Sequence, residues 1–383
     1  MRIAFASTVG GGVDPYVKMS ARYLTANGHS VHVLYPRQQP EWHETFPNLY
    51  LHTTTTGRLH YYAARLGLKG TRFPLMIRQY ETSVGLARTL KAVRAKYGLD
   101  LVELIEGFAY PRLFDGIPFV YKMHGAAWTF NRYCEDQTYY RFQIENQRKM
   151  LLAARQVQSI SRSQADFIAG ACDVPARLIR VIPYAIDIQQ FRPASPPAPE
   201  PPFHLMSVGR LEKRKGTHTL VRALRTVWQQ EPDTHLHLYG HSRDFGQIQI
   251  EAEIPPEEHQ GRIHFEGFVP RSDLITAYQK THIYVSPTRY ETFGYTLLEA
   301  LACGRPVIAA DIGPVPELVR HEENGWLVPR DDVESLAQAI VRGLRESDQR
   351  EANGRAGREF AERFAVERIM PKQIALYESA LNG

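Results

Sequence analysis

"RYETFGYTLLEALACG", residues 289–304, sets two carboxylates, Glu291 and Glu299, eight positions apart, with aromatics and Gly294 between them. The preceding "HIYVSPT" is a short apolar run that reads as a buried strand, and "TLLEALACG" reads as the helix that follows. Glu291 then falls in the strand–helix turn and Glu299 within the helix. Eight residues of helix span roughly 12 Å. Over that distance two strong acceptors can grip the two ends of one elongated, hydroxyl-rich ligand. Gly294 lets backbone N–H groups approach such a ligand. Either glutamate alone fits a solvated helix position equally well. The pair, with "CGRPVIA" directly behind it, favours the ligand.

Outward from this stretch the same strand–helix alternation runs through both halves of the chain. In the first half, "RIAFAST", "SVHVLY", "LYLHT", "LVELI", "PFVYKMH", "VQSIS" and "LIRVIPY" read as buried strands, with helical stretches over 13–27, 136–153 and 163–171. In the second, "HLMSVGR", "HLHLYG", "RIHFEGF", "HIYVSP", "PVIAA" and "GWLVP" are strands. Helical patterns there cover about 217–230, 271–280, 296–303, 333–346 and 351–363. Alternation of this kind predicts parallel sheets with helices on both faces. Between the halves lies "RPASPPAPEPP", 192–202, with six prolines in eleven residues, which forms neither helix nor central strand and reads as a semi-rigid linker. The expected organisation is an acceptor-side Rossmann-like domain over 1–191, this linker, and a second Rossmann-like domain over 203–365. A C-terminal helix over 366–383 is expected to pack back on the first domain. Two doubly wound α/β domains facing across a cleft would bind ligands at the carboxyl ends of their strands.

Composition narrows the class. The chain has 383 residues, 43% hydrophobic and 23% charged, which suits a globular protein with more than one core. Its apolar runs are too short for a transmembrane helix, and the run in "MRIAFASTVGGG" is too short for a signal peptide. Cys134, Cys172 and Cys303 form no paired motif, so neither a disulfide framework nor a cysteine zinc site is expected, and a reducing cytoplasm fits. The net charge of +5 hides an asymmetry: residues 1–195 carry 24 Lys/Arg against 14 Asp/Glu, the remainder 22 against 27. Residues 58–96 alone hold nine basic residues and a single acid, Glu81. A one-sided positive surface points to an anionic partner.

Two glycine-bearing turns follow the first strand of each half. "STVGGGVDPY" lacks the dinucleotide fingerprint: Gly10 and Gly12 fit, but Pro15 stands at the third glycine position. "VHVLYPR" offers no acid for a ribose, so NAD is not expected. The turn reads either as a plain glycine turn or as a backbone contact from Gly11 or Gly12 to a phosphate. "VGRLEKRKG", 208–216, places Arg210, Lys213, Arg214 and Lys215 just before a helix. It reads either as a basic surface loop or as a diphosphate clamp in which cations and helix N-terminus act together.

"GRLEKRKG", "PTRYETFGYTLLEALACGRPVIAADIG", "PELV" and "NGWLVP" resemble the retaining nucleotide-sugar glycosyltransferases of family four, with the GT-B fold. The resemblance covers most of 203–330. It extends more weakly to the first half through "GGVDPYVKMSARYLTANGHSVHVLY" and "KMHG". It implies that Glu291, Phe293, Gly294, Tyr295 and Thr296 meet the donor sugar and phosphates, and that Glu299 holds the ribose. It implies that Arg210 and Lys215 neutralise the diphosphate, with Gly11 and Gly12 approaching from the other domain. His124 matches the family's cleft histidine near the donor sugar; a packing role at a strand end is the alternative. The chain departs from the family pattern at Gly240-His241-Ser242, at "IPYAID" and at the extra proline of "GPVPELV".

The expected chemistry is transfer of a sugar from a nucleoside-diphosphate sugar, UDP ahead of GDP, to a hydroxyl acceptor with retention of configuration. The setting expected is cell-surface glycan or glycoconjugate synthesis. There is no Asp-x-Asp pair, so no metal and no cofactor are expected, and His124, Glu291, Arg210 and Lys215 form the catalytic set. The alternatives are a nucleotide-sugar epimerase or hydrolase on the same architecture, and a non-catalytic nucleotide-sugar or lipid-binding module. In "HGAAWTFNRYCEDQTYYRF", Trp128, Phe130 and Tyr133 either wall an acceptor or pack inward from a helix. The basic segment 57–96 either meets an anionic membrane surface or forms the solvated faces of two helices. No nucleic-acid partner is expected. The predicted location is the cytoplasm, with peripheral association at the inner face of the membrane.

Overall fold

The computed structural model describes residues 1–7, 14–36, 46–54, 57, 59–63, 65, 73–106, 109–125, 141–194, 200–242 and 245–382. It divides into two compact units: Met1–Pro183 with Ile369–Gly383, and Tyr184–Arg368. That division falls ahead of the proline-rich segment. The described ends of the segment pack within the second unit, where Gln279 donates to the Arg192 carbonyl at 2.8 Å and Glu200 pairs with Arg350.

The first unit is built on a seven-stranded sheet of β1 (Arg2–Ser7), β2 (Ser30–Pro36), β3 (Leu49–Thr54), β4 (Leu101–Ile105), β5 (Phe119–Met123), β6 (Gln156–Ser159) and β7 (Ile179–Val181). The strand order is β3-β2-β1-β4-β5-β6-β7, and every pairing is parallel. The second unit holds β8 (Phe203–Val208), β9 (Thr234–Tyr239), β10 (Ile263–Gly267), β11 (Ile283–Ser286), β12 (Val307–Ala310) and β13 (Gly325–Val328). Its order, β10-β9-β8-β11-β12-β13, repeats the first pattern and is again all parallel. The order reverses between β1 and β4 in one unit and between β8 and β11 in the other. Ligands of doubly wound sheets bind at such points, outside the carboxyl ends of the strands.

The sequence explains these sheets. β4 (LVELI), β5 (FVYKM) and β12 (VIAA) are buried throughout, as central parallel strands covered by helices on both faces must be. The helix Thr217–Gln230 turns Leu220, Val221, Leu224 and Val227 inward at helical spacing, onto Leu205, Leu236 and Ile283 of the strands. β7 is shorter than "LIRVIPY" suggests, because only three of its residues pair with β6. The described part of the helix expected over 136–153 is Arg141–Ala153. Helices Gln247–Glu253 and Pro256–His259 are too short to leave a periodic signal.

The last helix, Val366–Asn382, binds the first unit through a buried polar cluster. Glu103, fully buried on β4, accepts from Tyr16 Oη at 2.8 Å, Tyr377 Oη at 2.5 Å and Gln373 Nε2 at 2.9 Å. Gln373 also donates to Gln158 at 2.7 Å, and the Lys122 ammonium lies 3.5 Å from the Tyr16 ring centroid. Burial raises the Glu103 carboxyl above its usual range, against the pull of Lys122. A buried carboxylate is tolerable only with this many donors around it.

Candidate donor site

The second unit collects most of the residues singled out in its sequence. β8 ends at Val208, and the chain passes through Arg210 into a short 3-10 turn, Lys213–Lys215. Gly216 closes that turn at φ 70°, where a β-carbon would meet the Pro287 carbonyl oxygen at 1.8 Å. The backbone after β8 thus touches the backbone after β11, and only glycine permits it. This contact brings Lys215 to Glu291: Nζ donates to Oε2 at 2.9 Å. The other oxygen, Oε1, accepts from the Thr292 N–H at 3.0 Å. Burial would raise the Glu291 carboxyl, but Lys215, the Thr292 N–H and Arg214 outweigh it and hold it below the usual range. Glu291 is therefore an ionised acceptor at neutral pH, and Lys215 keeps two further N–H donors for an anion.

Arg210 and Arg214 divide their roles. Both pair with Glu212, a buried carboxylate, Arg210 at 3.4 Å. Arg214 is largely covered, and its carbonyl accepts from the Arg289 N–H at 2.8 Å and Thr288 Oγ1 at 3.2 Å, so it braces the two loops. The Arg210 side chain is 49% exposed and can turn its guanidinium to an anion. Sequence reading missed Glu212 as the group that aims both arginines; its signal is the acid inside "RLEKR".

Beyond Glu291 the chain enters the helix Tyr295–Ala302, capped by Gly294 at φ 97°. Thr296, in the first turn, accepts from Tyr284 Oη at 2.8 Å through its hydroxyl. Phe293 is buried and packs edge-on to Tyr184 at 5.3 Å and to Phe364 at 6.1 Å. Tyr295 also meets Tyr184, and its hydroxyl reaches the Ala185 carbonyl at 3.4 Å. Glu299, 3% exposed, accepts from Tyr278 Oη at 3.0 Å and lies 3.6 Å from Arg271, an ion-pair rather than a hydrogen-bond distance. Burial lifts its carboxyl to about 7, partly offset by Arg271 and Tyr278. Arg271 and Tyr278 sit on the helix Arg271–Lys280, remote in sequence, and no local motif marks them as partners of Glu299.

In the first unit, His124 follows β5, with its ring 6.0 Å from the Tyr16 ring. Burial, reinforced by Lys122, holds its pKa well below the usual imidazole value, so the ring is neutral. Glu106 follows β4 on the adjacent strand, at φ 35°, and accepts a hydrogen bond from the Gly125 N–H. Burial raises Glu106 to about 8. It too went unnoticed in the sequence, where "IEGF" looks like an ordinary turn. Gly11, Gly12, Trp128, Phe130 and Tyr133 lie outside the described residues.

The chain is similar to known proteins over most of its length. The model of the glycosyl transferases group 1 family matches residues 188–360, and that of Glycosyltransferase Family 4 matches residues 10–190. A D-inositol 3-phosphate glycosyltransferase of Saccharomonospora viridis is 27% identical over 70% of this chain, an alignment that spans 65%, less than two thirds, of that relative. One from Paenarthrobacter aurescens is 23% identical over 97% of this chain and 94% of the relative. Among solved structures, sucrose-phosphate synthase from Thermosynechococcus elongatus superposes with a TM-score of 0.81 at 25% identity, covering 100% of this chain and 99% of that one. Anabaena HepE, solved in complex with UDP, superposes at 0.73 with 20% identity over 99% and 100% of the two chains. With two consecutive family models spanning 10–190 and 188–360, and both sheets wound in the same order, the chain belongs to the family 4 glycosyltransferases and has the GT-B fold.

Proposed function

We propose that this protein transfers a sugar from a nucleoside-diphosphate sugar, UDP ahead of GDP, to a hydroxyl acceptor with retention of configuration. The observation that carries the reading is the Lys215–Glu291 pair at the β8/β11 strand reversal, with Arg210 held on Glu212 in the same loop after β8 and Glu299 eight positions further on from Glu291. Lys215 and Arg210 bind the diphosphate, and the N-terminus of the helix Tyr295–Ala302 adds its dipole. Glu291 accepts hydroxyls of the transferred sugar, and Glu299 accepts those of the ribose. When the C1–O bond breaks, charge grows on the departing phosphate, and fixed cations hold it more tightly than they hold the ground state. The acceptor hydroxyl attacks C1 from the same face and passes its proton to the departing phosphate oxygen. Its oxygen forms the new bond as the old one opens. His124, in the first unit, is neutral and serves as a hydrogen-bonding group rather than as a cation. In this reading the two cations stabilise the diphosphate, and no metal is needed.

The relatives' names, and the UDP complexes of HepE, support a UDP-sugar and a polyol or sugar acceptor. A peripheral membrane role in glycoconjugate synthesis, at the inner face, is part of the same proposal. The basic segment exposes Leu59, Tyr61, Tyr62, Phe73 and Tyr80 beside Arg65, Arg78, Arg88 and Lys91. No helix among the described residues is long and apolar enough to cross a membrane.

The test is a donor screen. Each nucleotide sugar is scored for thermal stabilisation, and the best is then incubated with inositol phosphates, sugars and a chelator. Product in the presence of chelator, with the donor's anomeric configuration by NMR, is expected. Stabilisation by no nucleotide sugar would overturn the donor site. Strict metal dependence or an inverted product would overturn the mechanism. Vesicles of neutral and anionic lipid, sedimented with the protein at low salt, test the membrane role: binding to anionic vesicles alone is expected, and binding to neither overturns it.

A further inference from the structure

The second sheet carries a feature that sugar transfer does not use. On one face of its outer three strands, β8, β9 and β10, stand His204, His235, His237, His264 and Glu266. The strand β9 alternates, with Leu236 and Leu238 in the core and His235 and His237 on the opposite face, half-buried. Strand register sets His264 directly across from His237 and His235 directly across from His204. Four imidazoles and a carboxylate thus share one face at the sheet edge.

Their contacts have a direction. His237 Nε2 lies 3.0 Å from His204 Nδ1, and His264 Nε2 lies 2.9 Å from His235 Nδ1. The two central rings stack nearly parallel, centroids 4.5 Å apart. Each central ring therefore uses Nε2 on a neighbouring histidine and turns Nδ1 elsewhere. His237 Nδ1 meets Glu266 Oε1 at 2.8 Å. One donor nitrogen from each of His237 and His264 and one oxygen of Glu266 all lie within 4.8 Å of one another. Around a zinc ion, ligands at about 2.0–2.2 Å stand roughly 3.4 Å apart. Side-chain rotations bring atoms within 4.8 Å of one another to that spacing. A hollow beside the cluster is lined by His204, His237 and Lys280.

We propose that His237, His264 and Glu266 form a binding site for a divalent transition metal ion of the zinc class, with His204 and His235 orienting the two ligand rings from behind. Two imidazoles and one carboxylate select Zn²⁺, Cu²⁺ or Ni²⁺ over Mg²⁺ or Ca²⁺, which demand oxygen. A second histidine on the far nitrogen of a ligand ring fixes its orientation, as outer partners do in metal sites. The site lies on a sheet face, not at the β8/β11 reversal, and does not depend on the proposed transfer reaction. Cysteine counting could not find it; the sequence signal is the alternation in "HLHLY" and "IHFEG".

The experiment titrates chelator-treated full-length protein with Zn²⁺ by calorimetry, with Mg²⁺ in a parallel titration. Saturable binding of one equivalent of Zn²⁺, and none of Mg²⁺, is expected. His264→Ala and Glu266→Gln should each weaken Zn²⁺ by at least about tenfold. His52→Asn, which removes one member of the separate His32–His52 pair in the first unit, should leave it unchanged. Circular dichroism and nucleotide-induced thermal shift confirm that each variant is folded. Absence of saturable Zn²⁺ binding overturns the proposal. So does binding that survives both His264→Ala and Glu266→Gln, or that is lost in His52→Asn.

Discussion

The two sheets share one strand order, and their reversal points carry opposite electrostatics. At β8/β11 a carboxylate is held ionised: Lys215 sits 2.9 Å from Glu291 and keeps it below its usual range. At β1/β4 and on the neighbouring β5, burial works against charge. It raises Glu106 to about 8, lowers Lys122 to about 7, and drops His124 well below the usual imidazole value. The first arrangement suits a charged diphosphate. The second suits a neutral, hydroxylated molecule, which needs hydrogen-bond partners but no counter-charge. The fold supplies the location twice, and the side chains at each location decide what it can hold.

The sharpest way to break this contrast is to remove the charge pair. Lys215→Ala deletes the cation that the proposed reaction sets against the departing phosphate and leaves Glu291 buried without its ammonium partner. The expected loss is about 2–4 kcal/mol of transition-state stabilisation, read as a fall in kcat with far less change in KM for the donor. Glu291→Gln keeps the shape and loses the charge, and should reproduce part of that fall. If both variants turn over like the wild type, the charged reversal point is not the reaction centre.

The next effect is on stability and separates Glu299 from Glu291, although both belong to one motif. Glu299 rises from 4.5 to about 7 in the fold. A carboxyl with a raised folded pKa contributes most below its unfolded value, and that contribution is lost as pH climbs through the folded value. The loss is complete above about pH 7 and amounts to at most about 3 kcal/mol. Glu299→Gln is neutral throughout, so ligand-free Glu299→Gln should gain on the wild type between about pH 5 and pH 8 in denaturant midpoint. Parallel curves would mean that Glu299 is ionised in the fold at all these pH values.

Much of this was legible in the residues. Strand alternation gave the two sheets because parallel strands buried on both faces leave compact apolar runs such as "LVELI" and "PVIAA". The Glu291–Glu299 spacing and "GRLEKRKG" marked the second reversal point because its groups are charged and local in sequence. The first was much harder to read. Glu106 and the Glu103 cluster owe their character to burial and to partners as distant as Tyr377, which no window of sequence contains. Arg271 and Tyr278 were missed for the same reason. The division of labour between Arg210 and Arg214 depends on exposure, which adjacent basic residues do not reveal.

A smaller effect tests the loop that positions the charged site. Gly294 sits at φ 97°, and a β-carbon there would lie 2.7 Å from Leu297 Cδ1 and 3.2 Å from Leu318 Cδ1. Both are ends of flexible side chains that can give way. The cost of Gly294→Ala is then mainly the left-handed backbone, about 1–2 kcal/mol. Urea denaturation should show that loss with an unchanged slope. Donor affinity should fall as well, because the N–H groups of the helix start are displaced. A stability loss with full donor affinity would detach the helix N-terminus from the phosphates.

The smallest effect comes from making the same substitution at the other reversal point. Glu106→Gln replaces a carboxyl that burial already keeps protonated at neutral pH, so it exchanges one neutral hydrogen-bonding group for another. Near pH 7 the variant should keep donor affinity and lose no more than about threefold in kcat/KM for the acceptor, well under the usual cost of one deleted buried charge. The wild type should depart from the variant only as pH rises through about 8, where Glu106 ionises and the variant does not. The pH profiles of kcat/KM for the acceptor, wild type against Glu106→Gln, read this directly. If Glu106→Gln at neutral pH is as damaging as Glu291→Gln, then Glu106 works as a carboxylate and the first reversal point is charged like the second. The contrast between the two sheets would then lie in their sequences rather than in their chemistry.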